Sequence, residues 1–351
     1  MKYLFTSIIC LIPFAILSAQ TTYVPDNNFE QALIDLGLDD VLDDYVLTSN
    51  ISGVTHLDIS NKNISDPTGL ETFSSLTHII LDGNPVGNIP FHPNVNLTFL
   101  ICQYTEITEL DLTPHTNLNT LACAGNNLTS LDLSQNPSLK DLICGQNQLT
   151  EIVFNPQMNL FEFNCTGNNL TSLDVSQHIS LRYLGCSLNQ LTELDLSNNT
   201  NLLEVRAHSN PPLNKVDIRN GNNIHIDQFL LYNSPNLPYI YVDDCEYSTL
   251  NWTDIDPTTI FVEEEGQTEC EMIGVEDNMA VSFNLYPNPA KNSINIQATE
   301  APELVQIYSI QGILVKETSE LNIDVSNLSS GLYIIKVYSR GNSITKKFMK
   351  N

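Results

Sequence analysis

Apolar and polar positions repeat with a period of 21 residues over the stretch from Leu97 to Asn210. Leucine opens each unit, cysteine closes its first phrase, and asparagine follows most of the cysteines after three residues. The leucine column is Leu118, Leu139, Leu160, Leu181 and Leu202, the cysteine column is Cys102, Cys123, Cys144, Cys165 and Cys186, and the asparagine column is Asn126, Asn147, Asn168 and Asn189. One such coil cannot bury its apolar side alone, whereas stacked coils form a continuous core. The period therefore predicts a solenoid.

Each unit contains a short run in which apolar and outward-facing positions alternate. In the run from Asp141 to Cys144, Leu142 and Cys144 share one face, which is the pattern of a half-buried strand. Stacked coils place equivalent strands ~4.8 Å apart in one parallel sheet. The phrase LxxLxCxxN resembles the signature of leucine-rich repeats. We therefore expect an α/β-type leucine-rich-repeat superhelix with one parallel β-sheet on its concave face, and we expect the LDLS phrase, as in Leu131–Ser134, to form an irregular convex side.

The evenly spaced cysteines invite a metal or disulfide interpretation. Zinc sites need clustered ligands, as in CxxC, but here each cysteine lies a whole coil from the next. Neighbouring thiols in stacked strands also point the same way, which is poor geometry for a bridge. We expect a buried ladder of small apolar side chains, because free cysteine packs well in cores. On these residues the chain resembles the cysteine-ladder members of the internalin family, bacterial surface proteins with leucine-rich repeats, over roughly Val54 to Ile240, about half of its length.

The chain begins with one lysine, an apolar run and Ser18-Ala19-Gln20, which is the pattern of a secretory signal peptide over residues 1–20, with cleavage near Ala19 or Gln20. Residues 21–53 are expected to form an N-terminal helical cap, in which Asp26 caps a short helix that a glycine ends. The acidic cluster Asp39, Asp40, Asp43 and Asp44 follows. Its spacing lacks the EF-hand order, so a solvated face is expected rather than a calcium site.

The solenoid itself is expected over residues 54–242. Residues 243–279 are expected to form a C-terminal cap and an acidic linker. Cys245 and Cys270 lie outside the ladder in an exported chain. They fit either a disulfide that seals the core around Trp252, worth ~3 kcal/mol, or two free thiols.

The last segment, 280–351, changes character. Six short alternating runs separated by turn residues predict a small antiparallel β-sandwich: Ser293–Ile296, Val305–Tyr308, Ile313–Lys316, Leu321–Val325, Tyr333–Tyr338 and Ile344–Phe348.

Three ordered motifs in this segment, YPNPA, LSSGLYIIKV and the basic tail KKFMKN, resemble a type A sorting domain of the type IX secretion system. The resemblance implies passage across the outer membrane, with the mature protein secreted or attached to the outer-membrane surface, and it makes the secretion machinery a partner. The matching positions are Pro287, Asn288, Pro289, Gly331, Tyr333, Lys346 and Lys347.

The charge of the chain excludes some partners. A net charge of −27 argues against nucleic acid, which needs a basic face, and against anionic membrane surfaces. Residues 21–279 hold 36 acidic against 6 basic residues, while 280–351 hold 5 against 7, and this shift marks a domain boundary. No other segment approaches the ~20 apolar residues that a transmembrane helix needs.

Catalytic patterns are not found. The seven histidines form no HExxH motif and none lies beside a GxSxG motif. The aspartate column Asp111, Asp132, Asp174 and Asp195 alternates with leucines and is expected to face solvent or to bond the turn rather than to bind cations. We predict no enzymatic activity, no cofactor and no metal.

The exposed positions of the concave sheet form the candidate ligand-binding surface, because solenoids bind partners on such extended faces. Scattered apolar residues also occur on ordinary surfaces, but aromatic and isoleucine residues on one face favour binding. The candidates are Phe99, Ile101, Asp141, Ile143, Glu162, Tyr183, Glu204, Arg206 and His208.

Two main functions fit these features. The first is adhesion or recognition, in which the concave face of a secreted or surface protein binds an extracellular protein or glycan. The second is a structural role in the envelope or biofilm without a specific ligand. A third possibility is an accessory subunit of a surface enzyme complex.

Overall fold

The computed structural model of the chain describes residues 20–89, 96–270, 283–298, 302–310, 312–339 and 342–351. The chain divides into two compact units, Met1–Cys270 and Glu271–Asn351. Of the expected signal peptide only Gln20, which is exposed, lies among the described residues. The cleavage near Ala19 or Gln20 therefore stays a prediction.

The N-terminal cap combines a helix with a two-stranded antiparallel sheet. The strands are Thr21–Tyr23 and Tyr45–Leu47. The helix Asn27–Asp35 begins after Asp26, whose Oδ1 accepts hydrogen bonds from the backbone N–H groups of Asn28 and Phe29, as the sequence predicts. A second short helix, Thr48–Ile51, precedes the first coil. The buried side chains of this cap belong to the same core as the coils, so the cap covers the first coil.

A ten-stranded parallel sheet is built from the cysteine phrases and their counterparts. Its strands, in chain order, are His56–Asp58, His78–Ile80, Phe99–Ile101, Thr120–Ala122, Asp141–Ile143, Glu162–Asn164, Tyr183–Gly185, Glu204–Arg206, Gln228–Leu231 and Asp254–Ile255. Equivalent residues pair in register, so Glu162 lies between Asp141 and Tyr183. The central residue of each three-residue strand is buried. This sheet confirms the predicted leucine-rich-repeat fold.

The opposite side is more regular than predicted. It carries two further parallel sheets, one with the strands Ser130–Leu133 and Glu151–Phe154 and one with the strands Glu193–Asp195, Lys215–Asp217, Tyr239–Tyr241 and Ile260–Val262. The LDLS phrase alternates with a period of two like the cysteine phrase, so its backbone also pairs with the next coil. The described coils contain two 3₁₀ helices, Leu70–Thr72 and Asn223–His225.

Strand pairing between coils continues past residue 242, the end of the solenoid that the repeat predicts. Asp254–Ile255 pairs with Gln228–Leu231, and Ile260–Val262 pairs with Tyr239–Tyr241. In the chain, the helix Cys245–Asn251 lies between the strands Tyr239–Tyr241 and Asp254–Ile255. The leucine phrase has disappeared here, and aromatic residues fill the core instead: Trp252 stacks on Phe229 with 4.3 Å between ring centroids. Most of the expected linker beyond Cys270 lies outside the described residues.

The C-terminal unit consists of antiparallel sheets around its own core. One sheet contains Phe283–Tyr286, Ser293–Ala298 and Asn322–Asp324, and the other contains Leu304–Ser309, Leu314–Thr318, Gly331–Ser339 and Asn342–Lys350. In the second sheet Gly331–Ser339 pairs with both Leu304–Ser309 and Asn342–Lys350. Buried residues from both sheets, including Ile294, Ile307 and Phe348, pack together, as expected for a β-sandwich.

Candidate functional site

The outward side chains of the ten-stranded sheet, together with the two turn residues that follow each buried cysteine or its counterpart, form one surface, here called the sheet face. Strand alternation sends residues on either side of each buried central position to this face. All nine candidate binding residues lie on it. Tyr183 and Arg206 are exposed and the other seven are half-buried.

Part of this face is sunk into a depression of about 590 Å³. Six candidates line it: Ile143, Glu162, Tyr183, Glu204, Arg206 and His208. Phe99, Ile101 and Asp141 lie outside it. The depression thus includes candidates from the later coils, while the earlier coils contribute Gln103, Tyr104 and Ala124 to its lining.

Small residues form the floor of the depression. Gly145, Gly185 and Ser187 occupy outward positions and are nevertheless buried. A Cβ atom on Gly145 would lie 2.8 Å from the backbone oxygen of Thr166, and one on Gly185 would lie 3.1 Å from the Asn164 side chain. Both glycines are thus needed for close approach between neighbouring coils. The floor presents backbone and the polar groups of Asn164, Thr166 and Ser187.

Two tyrosines border this floor. Tyr183 is 38% exposed, and its ring packs edge-on against Phe161 at 6.0 Å. Tyr104 is 59% exposed, and its hydroxyl donates to Oε1 of Gln146 at 3.3 Å. Tyr104 is not among the residues that the sequence predicts for the binding surface.

The backbone at Tyr104 explains why that residue was missed. Tyr104 follows Cys102 by two residues and has a φ of 53°, in the left-handed region. The equivalent position in the next coil is Gly125, at φ 67°, and the Tyr104 ring lies against it so closely that a Cβ there would be 2.3 Å from two ring carbons. The position two residues after the cysteine holds Tyr104 in one coil and Gly125 in the next. A tyrosine at a position that also accepts glycine was the signal in the sequence for an exposed ring.

The charges of the depression are unevenly paired. Nε of Arg206 lies 2.5 Å from Oε1 of Glu204, and Nη2 of Arg206 donates to Oε1 of Gln228 at 3.1 Å. Burial raises the pKa of Glu162, and the carboxylates of Asp141 and Glu204 raise it further. Arg206 is thus already held by its own coil and the next, while Glu162 lies among like charges.

Histidines occupy both ends of the sheet face. His208 stacks on Tyr232 at 4.6 Å, and burial and Arg206 lower its pKa. At the other end His56 stacks on His78 at 4.2 Å and His78 stacks on Phe99 at 5.5 Å. Phe99 therefore belongs to a separate aromatic row rather than to the depression.

The cysteines of the described residues divide into two groups. Cys102, Cys123, Cys144, Cys165 and Cys186 are free thiols and are fully buried. Burial raises the pKa of each thiol, to about 12 for Cys123 and Cys186, so none is an activated nucleophile. Cys245 and Cys270 form a disulfide with 5.7 Å between their Cα atoms. Within the described ranges, no group of three or more His, Cys, Asp or Glu side chains is arranged to hold a metal ion.

The residues of the three sorting motifs meet at one end of the C-terminal unit. Oδ1 of Asn288 accepts a hydrogen bond from the backbone N–H of Met349 at 2.9 Å. Gly331 pairs with Lys350, and the rings of Tyr333 and Phe348 stack at 5.7 Å. The Tyr333 hydroxyl also donates to the Ser329 carbonyl at 3.0 Å.

The remaining motif residues surround this contact. The peptide bonds before Pro287 and Pro289 are both cis. Lys346 and Lys347 are exposed, and Lys346 lies 5.3 Å from the ring centroid of Phe283. Motifs some 60 residues apart in sequence therefore form one structural unit.

The fold and these features define a leucine-rich-repeat protein with its own export domain. Residues 284–351 match the family of secretion system C-terminal sorting domains. This match identifies the C-terminal unit as a type IX secretion sorting domain and makes the chain a secreted or outer-membrane-surface protein that uses the secretion machinery. No helix among the described residues is both long and apolar enough to cross a bilayer.

Several solved structures resemble the chain. An internalin (InlF) from Listeria monocytogenes is 17% identical, with a TM-score of 0.44, and the likeness covers 68% of this chain and 91% of that one. The functional domain of InlJ from Listeria monocytogenes, described as including a cysteine ladder, is 20% identical, with a TM-score of 0.35 and coverage of 95% and 99%. Internalin C2 from the same organism is 20% identical, with a TM-score of 0.41 and coverage of 53% and 96%. No curated protein matches the sequence.

Proposed function

We propose that this protein is an adhesion or recognition protein that binds an extracellular ligand through the sheet face. The observation that carries the proposal is the depression, where an exposed tyrosine, a paired arginine and a half-buried carboxylate border a recessed floor. Such concavities with a few convergent polar groups are the usual form of binding sites. A purely structural envelope protein would have no need of this arrangement.

The binding energy should concentrate in a few residues near the centre of the face. Binding hot spots are enriched in tyrosine, tryptophan and arginine, which makes Tyr183 and Arg206 the principal anchors. Phe99, Ile101, Asp141 and Ile143 extend the contact along the sheet. The acidic surface should speed the encounter with basic or cation-bearing partners, and the association rate should fall as the salt concentration rises.

The test is to find a ligand on glycan and protein arrays with the mature chain and then to compare variants. The double variant Tyr183→Ala, Arg206→Ala should weaken binding by about tenfold or more, ~1.4 kcal/mol per tenfold. Asp132→Asn, on the opposite side, is the control because Asp132 is exposed and outside the depression. If the double variant binds like wild type and the Asp132→Asn control loses binding, the site lies on the opposite face and the proposal is wrong.

A further inference from the structure

The floor of the depression carries a buried hydroxyl without a partner. Ser187 is 1% exposed, and among the described residues its Oγ has no hydrogen-bond partner. Ser187 lies in the turn after the strand Tyr183–Gly185, and it lines the depression. A buried polar group of this kind costs free energy until a ligand or water bonds to it. The floor is therefore prepared for a ligand with hydrogen-bonding groups.

The neighbouring floor residues offer the same neutral chemistry. Asn164 and Thr166 lie one coil earlier, and Asn164 Oδ1 already accepts from the Thr166 backbone N–H at 3.0 Å. The Asn164 amide nitrogen and the Thr166 hydroxyl complete a row of short polar groups beside Ser187. Amides donate and accept in fixed directions, and hydroxyls do both. A ligand rich in hydroxyl groups matches each of them.

Aromatic rings border this polar row, and they further restrict the class of ligand that fits. Tyr183 is 38% exposed and Tyr104 is 59% exposed, and both line the depression. A ring with one free face and a polar tip suits a partner that is apolar on one side and wet at its edge. Sugar rings have this character, with C–H groups on their faces and hydroxyls around their rims.

The charges exclude anionic ligands. Glu162 is a half-buried carboxylate in the depression, while Glu204 already holds Arg206 at 2.5 Å. The whole chain carries a net charge of −27. A sulfated or uronic polysaccharide would be repelled, whereas neutral hydroxyls donate readily to free carboxylate oxygens. A protein anchor would instead need apolar pocket walls, where this floor offers glycine and short polar side chains.

From these observations, and resting on the proposed function, we propose that the depression binds a neutral oligosaccharide. Tyr183 provides the stacking surface, and Glu162, Asn164, Thr166 and Ser187 provide the hydrogen bonds. Gly145 and Gly185 allow the close approach of neighbouring coils that forms this floor.

The experiment measures retardation of the mature full-length protein in native gels that contain laminarin, mannan or xylan, with dextran sulfate and poly-lysine as charged probes. Tyr183→Ala should lose about tenfold in affinity for the retarding polysaccharide, and Tyr183→Phe should retain most of it because the ring face remains. Gly185→Val should also lose binding, because the added side chain displaces Asn164 and Thr166 on the floor. Tyr45→Ala removes an exposed tyrosine from the cap and should bind like wild type.

The outcomes separate the ligand class from the proposed site. Retardation that is insensitive to salt and lost in Tyr183→Ala and Gly185→Val supports the proposal. Absence of retardation by all three neutral polysaccharides overturns it, and so does equal retardation of Tyr183→Ala. Binding to poly-lysine that falls with salt and is lost in Glu162→Gln would indicate a basic protein ligand. This result would overturn the oligosaccharide proposal but support the proposed binding face. If every sheet-face variant keeps all the interactions of the wild type, both the oligosaccharide proposal and the proposed binding face are rejected.

Discussion

Asn168 ties its own coil to the coil before it, because its Oδ1 accepts a hydrogen bond of 2.9 Å from the backbone N–H of Leu149. Its Nδ2 donates to the carbonyls of Cys144 and Cys165 at 3.1 and 2.9 Å. Asn147 and Asn189 make the same three bonds in their coils. The asparagine column is therefore a buried ladder between coils rather than a set of independent turns.

Replacement of Asn168 by alanine should lower the free energy of unfolding by ~1–3 kcal/mol, because the Leu149 N–H loses its partner inside the core. The two carbonyls keep bonds to Asn147 and Asn189, which limits the loss. Asn169→Ala is the control, since Asn169 is exposed. Urea titration of both variants measures the difference, and equal midpoints would contradict the ladder.

The cysteine ladder should be inert in the native protein. Alkylation before unfolding should leave Cys123, Cys144 and Cys165 unlabelled, because they are buried and burial raises their pKa. Mass spectrometry after denaturation should find them reduced and unbridged. Cys144→Ser should cost ~1–3 kcal/mol of unfolding free energy, since it buries a hydroxyl in an apolar row. A bridge between two ladder cysteines, or bound zinc, would contradict packing as their role.

Register was the most predictable property of this fold. The leucine and cysteine columns keep one spacing, so they determine which residues pair across the sheet and which face outward. The pairing of Glu162 with Asp141 and Tyr183 follows directly from that spacing. The sequence likewise identified the sorting domain, because its motifs are ordered and specific.

The features that the sequence did not predict depend on contacts between coils. The depth of the face arises from Gly145 and Gly185, whose neighbours approach too closely for a side chain, and a residue pattern does not show such distances. Tyr104 was missed because its exposure follows from a left-handed backbone. The last coil was missed because Trp252, Phe229 and Phe261 replace the leucine phrase with aromatic packing.

The disulfide between Cys245 and Cys270 should stabilise the C-terminal end of the solenoid. It closes a sequence separation of 25 residues, which corresponds to ~3 kcal/mol from the reduced entropy of the unfolded chain. Fluorescence reports on this region, because Trp252 is the only tryptophan in the chain. Reduction should shift the fluorescence unfolding midpoint to lower denaturant. The variant Cys245→Ala, Cys270→Ala should unfold at that lower midpoint with or without reductant, and a wild-type midpoint in this variant would refute the effect.

His178 should make the stability of the solenoid depend on pH. This side chain is buried, packs edge-on against Phe154 at 4.9 Å, and contacts the Met158 carbonyl through Nδ1 at 3.2 Å. Burial lowers its pKa, and the Met158 contact and Asp174 only partly oppose this effect. In the unfolded chain the pKa of histidine is ~6.5. The unfolded state therefore binds more protons just below that pH, and stability falls as the pH falls through 6.5.

The matched variant is His178→Asn, because Asn199 occupies the equivalent position in the next coil and donates to the carbonyls of Val175 and His178. Between pH 7.5 and 5 the wild type should lose stability more steeply than the variant, by at most ~1.4 kcal/mol per pH unit for one proton. The difference in slope isolates His178 from the many carboxylates. Parallel pH profiles would show that His178 titrates as it does in the unfolded chain.

Export should depend on the C-terminal unit. Deletion of residues 280–351 removes the matched sorting domain but leaves the expected signal peptide, so the solenoid should accumulate in the periplasm and be absent from the surface and the medium. Within the domain, Asn288→Ala breaks the bond to the Met349 N–H and should reduce export, because it weakens the contact between the first motif and the last. Asn284→Ala is the control, since Asn284 is exposed on the neighbouring strand. Cell fractionation and protease treatment of intact cells measure the result, and normal surface levels of the deletion variant would count decisively against the sorting role.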